Sequence, residues 1–135
     1  MILDQSEYWD KIIHAFARVD SEPEGQIIDF LRTGPRLVGN YGIDIGCGSG
    51  RHSLEAARRG NNIAAIDWSN VACLETQKAA ALRGYRIAVC RARMEYLPLA
   101  DDKFDFAICW CVLNHGTRKS FEEGLSEAFR VLRQG

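Results

Sequence analysis

Gly42-Ile43-Asp44-Ile45-Gly46-Cys47-Gly48-Ser49-Gly50-Arg51 is the stretch on which the fold turns. Its first half is apolar and reads as the end of a strand over residues 37–45. Residues 51–59 then read as a helix, closed by Gly60, the usual stop residue. Between them stand Gly46, Gly48 and Gly50. Glycine permits positive φ and lets a ligand approach the backbone with no Cβ in the way. Free N–H groups at a helix start favour a polar or anionic group. In an open parallel sheet the ligand lies off the carboxyl ends of the strands. The dinucleotide fingerprint G-x-G-x-x-G would need glycine at position 51, where Arg51 stands, and the Walker pattern is absent. A second acid, Asp67, ends the next apolar stretch, and a carboxylate there accepts from both hydroxyls of a ribose. The pattern asks for a nucleoside, with less provision for a pyrophosphate. An ordinary glycine turn followed by an ordinary strand-end acid is the structural alternative.

Outward from this turn the chain alternates. Residues 62–67 (Ile63, Ala64, Ala65, Ile66) are a short apolar strand. Residues 69–83 are rich in Ala and Leu with helical periodicity, and Gly84 ends them. Residues 85–90 read as a third strand. Residues 104–112 are nearly all apolar, as in a strand buried on both faces. Ser120 and Glu123 match a capping box that starts a helix running to Arg133. Strands alternating with helices imply a parallel sheet with right-handed crossovers. No repeat or low-complexity segment interrupts the chain.

The beginning of the chain differs. Residues 1–30 hold seven acids and two bases, whereas the remainder holds eleven acids and fifteen bases. Tyr8, Trp9, Ile12, Ile13 and Phe16 recur at helical spacing. Ile27, Ile28, Phe30 and Leu31 suggest a second short helix, ended by Gly34-Pro35. These helices are either a packing element or a lid that carries aromatic residues to a site.

With 135 residues, 47% hydrophobic and 26% charged, the chain has the composition of one globular domain, which excludes a disordered tail, a collagen and a coiled coil. A net charge of -1 gives no general reason to expect nucleic acid or an anionic membrane as partner. No apolar stretch is long enough to span a bilayer, and the N-terminus lacks a secretory signal pattern. Five cysteines, an odd and irregular set, fit free thiols in a reducing cytosol. Cys109 and Cys111 form a C-x-C pair, but His14, His52 and His115 show no ligand spacing that would complete a metal site, so no metal is expected.

Taken in order, these segments resemble the class I S-adenosylmethionine-dependent methyltransferases, and most of all the branch that methylates small molecules. Asp44-Ile45-Gly46-Cys47-Gly48-Ser49-Gly50-Arg51-His52 is similar to that family's first motif, and Ile66-Asp67-Trp68-Ser69 to its second. Glu95-Tyr96-Leu97-Pro98-Leu99, followed by Asp101-Asp102-Lys103-Phe104-Asp105-Phe106, is similar to its third. Cys111-Val112-Leu113-Asn114-His115 fits the segment after it, and residues 127–135 fit the next. The likeness runs from about residue 38 to the end.

The resemblance implies an α/β, Rossmann-like parallel sheet of order 3-2-1-4 with flanking helices. Residues 1–34 would be an N-terminal helical cap and residues 35–135 the cofactor-binding domain. The cofactor would be S-adenosylmethionine, leaving S-adenosylhomocysteine. Gly46, Cys47, Gly48 and Gly50 would face its methionine part, and Asp44 would help bind the amino group. Asp67 would take the ribose hydroxyls and Trp68 would lie against the adenine, with Met94 and Glu95 bordering the adenine edge. His115 is the best-placed general base for an acceptor that arrives protonated, or else a loop histidine without chemical role. The partner would be a small-molecule methyl acceptor, with neither nucleic acid nor membrane, for a cytoplasmic protein able to form a homodimer.

Two departures stand out. An Asp that often accepts from the adenine amino group is replaced by Arg93, which has no acceptor. Family members also continue with a fifth strand and usually two more after the position of Gly135, so a truncated sheet with an unpaired edge is expected. A cofactor-binding module without turnover is therefore the competing reading. A nicotinamide-dinucleotide domain is the third, disfavoured by the glycine spacing.

Overall fold

The computed structural model describes residues 5–16 and 22–134, with side chains for all of these except 14–16. The readings that fall on Met1 to Asp4, on His14, on the ring of Phe16 and on Gly135 lie outside the described residues.

Four strands form one parallel sheet: β1 (Tyr41–Ile45), β2 (Asn62–Asp67), β3 (Ile87–Arg91) and β4 (Phe106–Ile108). Their order is β3-β2-β1-β4, as the family resemblance implies. The helices are α1 (Gln5–Phe16), α2 (Gly25–Val38), α3 (Arg51–Arg58), α4 (Asn70–Arg83) and α5 (Arg118–Val131). Among the described residues, no helix is long and apolar enough to cross a membrane.

Strand alternation sorts the core into two layers. Ile43, Ile45 and Ile66 pack on one face with Leu97, Phe104 and, from α5, Ala128 and Val131. On the other face Ile63, Phe106 and Ile108 pack with Ala56 of α3 and Leu31 of α2. Full burial of a side chain such as Ile43 (0% exposed) contributes about 1.5–3 kcal/mol. The same alternation turns Asp44, between Ile43 and Ile45, towards the α3 side, where it meets Ser53.

Several element ends differ from the sequence reading. α2 runs through Pro35 to Val38 instead of stopping at Gly34-Pro35. Leu31 anchors it in the core, and Gly34 leaves room for the Phe30 ring, which a Cβ there would meet at 2.2 Å. The helix stops at Gly39, at φ +118°, whose N–H donates to the Pro35 carbonyl. Consequently β1 begins at Tyr41 and not at residue 37. The fourth strand covers only Phe106–Ile108 of the apolar run, and the chain then leaves the sheet, with Cys111 at φ +52°. α5 starts earlier than the capping box suggests: Thr117, in an extended conformation, accepts from the Ser120 N–H at 3.1 Å and is the cap. Beyond α5, Leu132 forms a parallel bridge with Phe104, next to β4.

Candidate functional site

The glycine turn is fastened to β2 before it reaches α3. The N–H groups of Gly46 and Cys47 both donate to the Ile66 carbonyl, at 2.7 and 2.9 Å. Gly46, Gly48 and Gly50 all have positive φ, yet their surroundings differ. A Cβ on Gly46 would meet Val112 at 2.4 Å, and one on Gly50 would meet Thr76 at 2.8 Å. Those two are glycine because protein fills the space. At Gly48 the nearest atom to a Cβ would be Ile13 Cδ1, at 3.7 Å. Gly48 therefore presents bare backbone to the pocket and leaves room for a ligand.

Asp67 stands at the end of β2 facing that backbone. Its Oδ2 accepts from Gly48 N–H at 2.9 Å and its Oδ1 from Ser69 N–H at 2.8 Å. Burial raises its carboxyl above the ordinary value, the amides of Ser69, Gly48 and Trp68 oppose the rise, and the charge of Asp10 adds to it. A carboxylate offers about four lone-pair sites, so the group has room for a further hydrogen bond.

Asp44, Cys47 and Gly50 stand behind this wall, outside the set of residues that line the pocket. Asp44 is 1% exposed and accepts from the Ser53 hydroxyl at 2.6 Å. Burial pushes its carboxyl up to about 6, against the pull of Ser53 and with the push of Asp67. The Cys47 thiol turns back to Thr76, 3.7 Å away, and burial pushes its pKa up, so it is an unionised packing group. His52, buried nearby, accepts the backbone N–H of Glu24 at its Nε2, 3.1 Å away. Burial, with Arg51 adding, lowers it to about 4, which keeps it neutral and able to accept.

The far end of the pocket is formed by Trp68, Ala92, Arg93, Met94 and Glu95. The Arg91 guanidinium lies 4.8 Å and that of Arg93 5.8 Å from the Trp68 ring centroid. Arg91 also donates to the Trp68 carbonyl at 3.0 Å. Glu95 is buried, and both of its oxygens take Arg93, at 3.3 and 3.4 Å. Burial would raise the Glu95 carboxyl, but Arg93, its own backbone N–H and Ser120 together hold it below the usual value. Met94 lies against Gly124 of α5, where a Cβ would meet its Cγ at 3.1 Å.

The mouth is shared by the loop after β4 and by α1. Cys111, Val112 and His115 line it from one side, and Gln5, Trp9 and Ile13 from the other. The exposed His115 ring stands edge-on to Trp9, with centroids 4.7 Å apart. Of the apolar face read in the sequence, Trp9 and Ile13 reach the pocket, while Tyr8 is 49% exposed and packs on Trp9.

Sequence reasoning missed Asp10. Its carboxylate accepts from the Ser69 hydroxyl and from Val71 N–H, and so joins α1 to the start of α4. Arg91 lies against the Trp68 ring, a neighbour that no local pattern of the sequence announces. Among the described residues, no three His, Cys, Asp or Glu gather as a metal site would require.

The arrangement gathers a carboxylate at Asp67, bare backbone at Gly48 and an aromatic ring at Trp68 around one pocket. A family model described as a methyltransferase domain matches residues 43–135. Uncharacterized proteins of Mycobacterium bovis and Mycobacterium tuberculosis are 35% identical over 82 residues, which is 56% of this chain and 30% of theirs. A solved structure from work on converting a disulfide bond into a thioacetal group in echinomycin biosynthesis superposes with a TM-score of 0.85. It is 20% identical, and the match covers 98% of this chain and 57% of that one. The cyclase SpnF, 22% identical, gives a TM-score of 0.76 over 97% of this chain and 56% of its own. A SAM-dependent methyltransferase of Methanosarcina mazei is 28% identical, with a TM-score of 0.70 over 85% of this chain and 55% of its own. The chain thus spans little more than half of these structures, and less than a third of the curated relatives.

Proposed function

This chain belongs to the methyltransferase-domain family, and on that premise we propose that it binds S-adenosylmethionine and supports methyl transfer to a small-molecule acceptor. One observation carries the reading: the open, positive-φ backbone of Gly48 lies against the Asp67 carboxylate, and both line a pocket at the carboxyl ends of β1 and β2. The space a Cβ of Gly48 would fill, and the spare lone pairs of Asp67, fit the methionine and ribose parts. The base end fits a flat ring but is cationic, through Arg91 and Arg93.

In this reading Asp67 holds the sugar hydroxyls and the Gly46–Gly50 turn seats the amino-acid part. Asp44 supports that turn from behind, through Ser53 and α3. α1 acts as the cap, with Trp9 and Ile13 excluding water from the mouth, whereas α2 belongs to the binding domain, into whose core Leu31 packs. When bound, the cofactor supplies a methyl group on a sulfonium, open to in-line displacement. The protein's part is chiefly to hold the acceptor in line. His115, at the mouth, takes a proton from an acceptor that arrives protonated. The five free cysteines suit a cytosolic setting.

A second reading, a cofactor-binding module without turnover, is favoured by the packing of His115 on Trp9, which occupies the one candidate base. Calorimetric titration with S-adenosylmethionine and S-adenosylhomocysteine tests the shared premise. Micromolar binding is expected, and no binding by the folded chain overturns both readings. Transfer of labelled methyl to a panel of small acceptors then separates them.

A further inference from the structure

We propose that Asp10 is a positioning residue for the Asp67 carboxylate, acting through Ser69, so that the seating of α1 and the occupation of the pocket by a nucleoside ligand favour each other. The inference rests on the cofactor reading above, in which Asp67 holds the sugar. No described residue of α1 belongs to either apolar layer of the core. The helix packs on α4, and its Trp9 and Ile13 line the pocket instead. A ligand in the pocket therefore lies against α1.

The same helix reaches both residues that hold Asp67. That carboxylate receives Gly48 N–H at one oxygen and Ser69 N–H at the other, at 2.9 and 2.8 Å. Ile13 Cδ1 lies 3.7 Å from the place a Gly48 Cβ would take. Three residues earlier, and so neighbouring Ile13 on the helix surface, Asp10 accepts from the Ser69 hydroxyl and from Val71 N–H. Ser69 is wholly buried. Its N–H goes to Asp67, its hydroxyl proton to Asp10, and its oxygen accepts from Ala72 N–H at 3.0 Å. A hydroxyl has one proton to give. Asp10 fixes where that proton points, and with it the residue whose N–H is aimed at Asp67. Seated, α1 thus sets the carboxylate that a sugar meets. A bound ligand in turn gives Trp9 and Ile13 a surface to pack on. Linkage makes the two effects equal: the factor by which the ligand favours seating is the factor by which seating favours the ligand.

The test combines amide exchange with calorimetric titration of the whole chain by S-adenosylhomocysteine. In the unaltered protein, binding slows exchange over residues 5–16 by about fivefold or more. Asp10→Ala weakens binding by about the same factor and removes most of that slowing. Added to Ser69→Ala, the same substitution weakens binding no further, because its route runs through Ser69. A merely structural role of Asp10 lowers the melting temperature but leaves the affinity of the folded chain alone. Binding that leaves α1 exchange unchanged overturns the proposal, and this measurement stands even if a variant does not fold. Unchanged affinity in folded Asp10→Ala overturns it too, as do additive effects in the double variant. If the compound does not bind the unaltered chain, the cofactor reading falls, and this inference with it.

Discussion

Asp10 and Ser69 are joined side chain to side chain across 59 positions of sequence. Ser69 caps α4 by accepting from Ala72 N–H, and Asp10 adds a second acceptor for Val71 N–H. A carboxylate at a helix start also suits the helix dipole. The cap over the pocket is thereby tied to the strand-end segment that carries Asp67 and Trp68.

Asp10→Ala removes that tie. Loss of a helix cap costs about 0.5–2 kcal/mol, so the melting temperature drops by a few degrees. Amide exchange over residues 5–16 quickens more than exchange in the sheet. Equal exchange in both proteins over that helix refutes the tie.

Asp67→Asn keeps size and shape but replaces one acceptor oxygen by a donor. Either Gly48 or Ser69 N–H then loses its partner, and a sugar hydroxyl loses a charged acceptor. Hydrogen bonds to charged groups contribute about 1.5–3 kcal/mol, so affinity for S-adenosylmethionine falls by about tenfold to a hundredfold. Titration beside a melting curve checks this. Unchanged affinity in a folded variant removes Asp67 from the site.

Gly46→Ala and Gly48→Ala part company. Both place a side chain at positive φ, a strain of about 1–3 kcal/mol. Only the first also drives a methyl into Val112. Gly46→Ala therefore loses much more stability in urea unfolding. Gly48→Ala keeps more of its stability but loses cofactor affinity by about tenfold or more, since its methyl occupies the ligand's place. The opposite ranking in stability refutes the packing role given to Gly46.

Asp44 and His52 oppose each other in acid. The His52 pKa is lowered from 6.5 to about 4. Its contribution is complete above pH 6.5 and is lost as the pH falls towards 4. The Asp44 pKa is raised from 3.8 to about 6. Its contribution is complete below pH 3.8 and is lost as the pH rises through 6. Within that window the two slopes offset each other. Asp44→Asn uncovers the His52 slope, and stability then falls by on the order of 3 kcal/mol between pH 6.5 and 4. Urea unfolding at several pH values checks this; a variant with the parent's pH profile contradicts it.

What the sequence made legible is what lies close together along it. The turn from Gly46 to Gly50 and the spacing to Asp67 are local, and Asn62–Asp67 is a strand with the expected limits. The Asp10–Ser69 contact was hidden, because no local pattern marks a partner so far along the chain. Trp68 lines the pocket at the end of β2, but the two guanidiniums over it were not legible; that of Arg91 depends on the register of β2 with β3. Pro35 was a misleading stop signal: burial of Leu31 and the fit of Phe30 over Gly34 outweigh a local break. The run from Phe104 to Val112 is the converse: it is nearly all apolar, yet only Phe106–Ile108 pairs as a strand, and the left-handed backbone of Cys111 is announced by no composition.

The Val112 side chain occupies the hollow left by Gly46. The stretch that presents His115 is therefore seated on the turn that would hold the methyl donor, and a shift in one displaces the other. A bulkier group at position 112 has nowhere to go unless position 46 gives way, and position 46 has nothing left to give up. Drift at these two places is thus confined to joint changes. Refashioning the mouth for a different acceptor is easier at Cys111 or His115, whose side chains are exposed, than at the residue between them that locks into the turn.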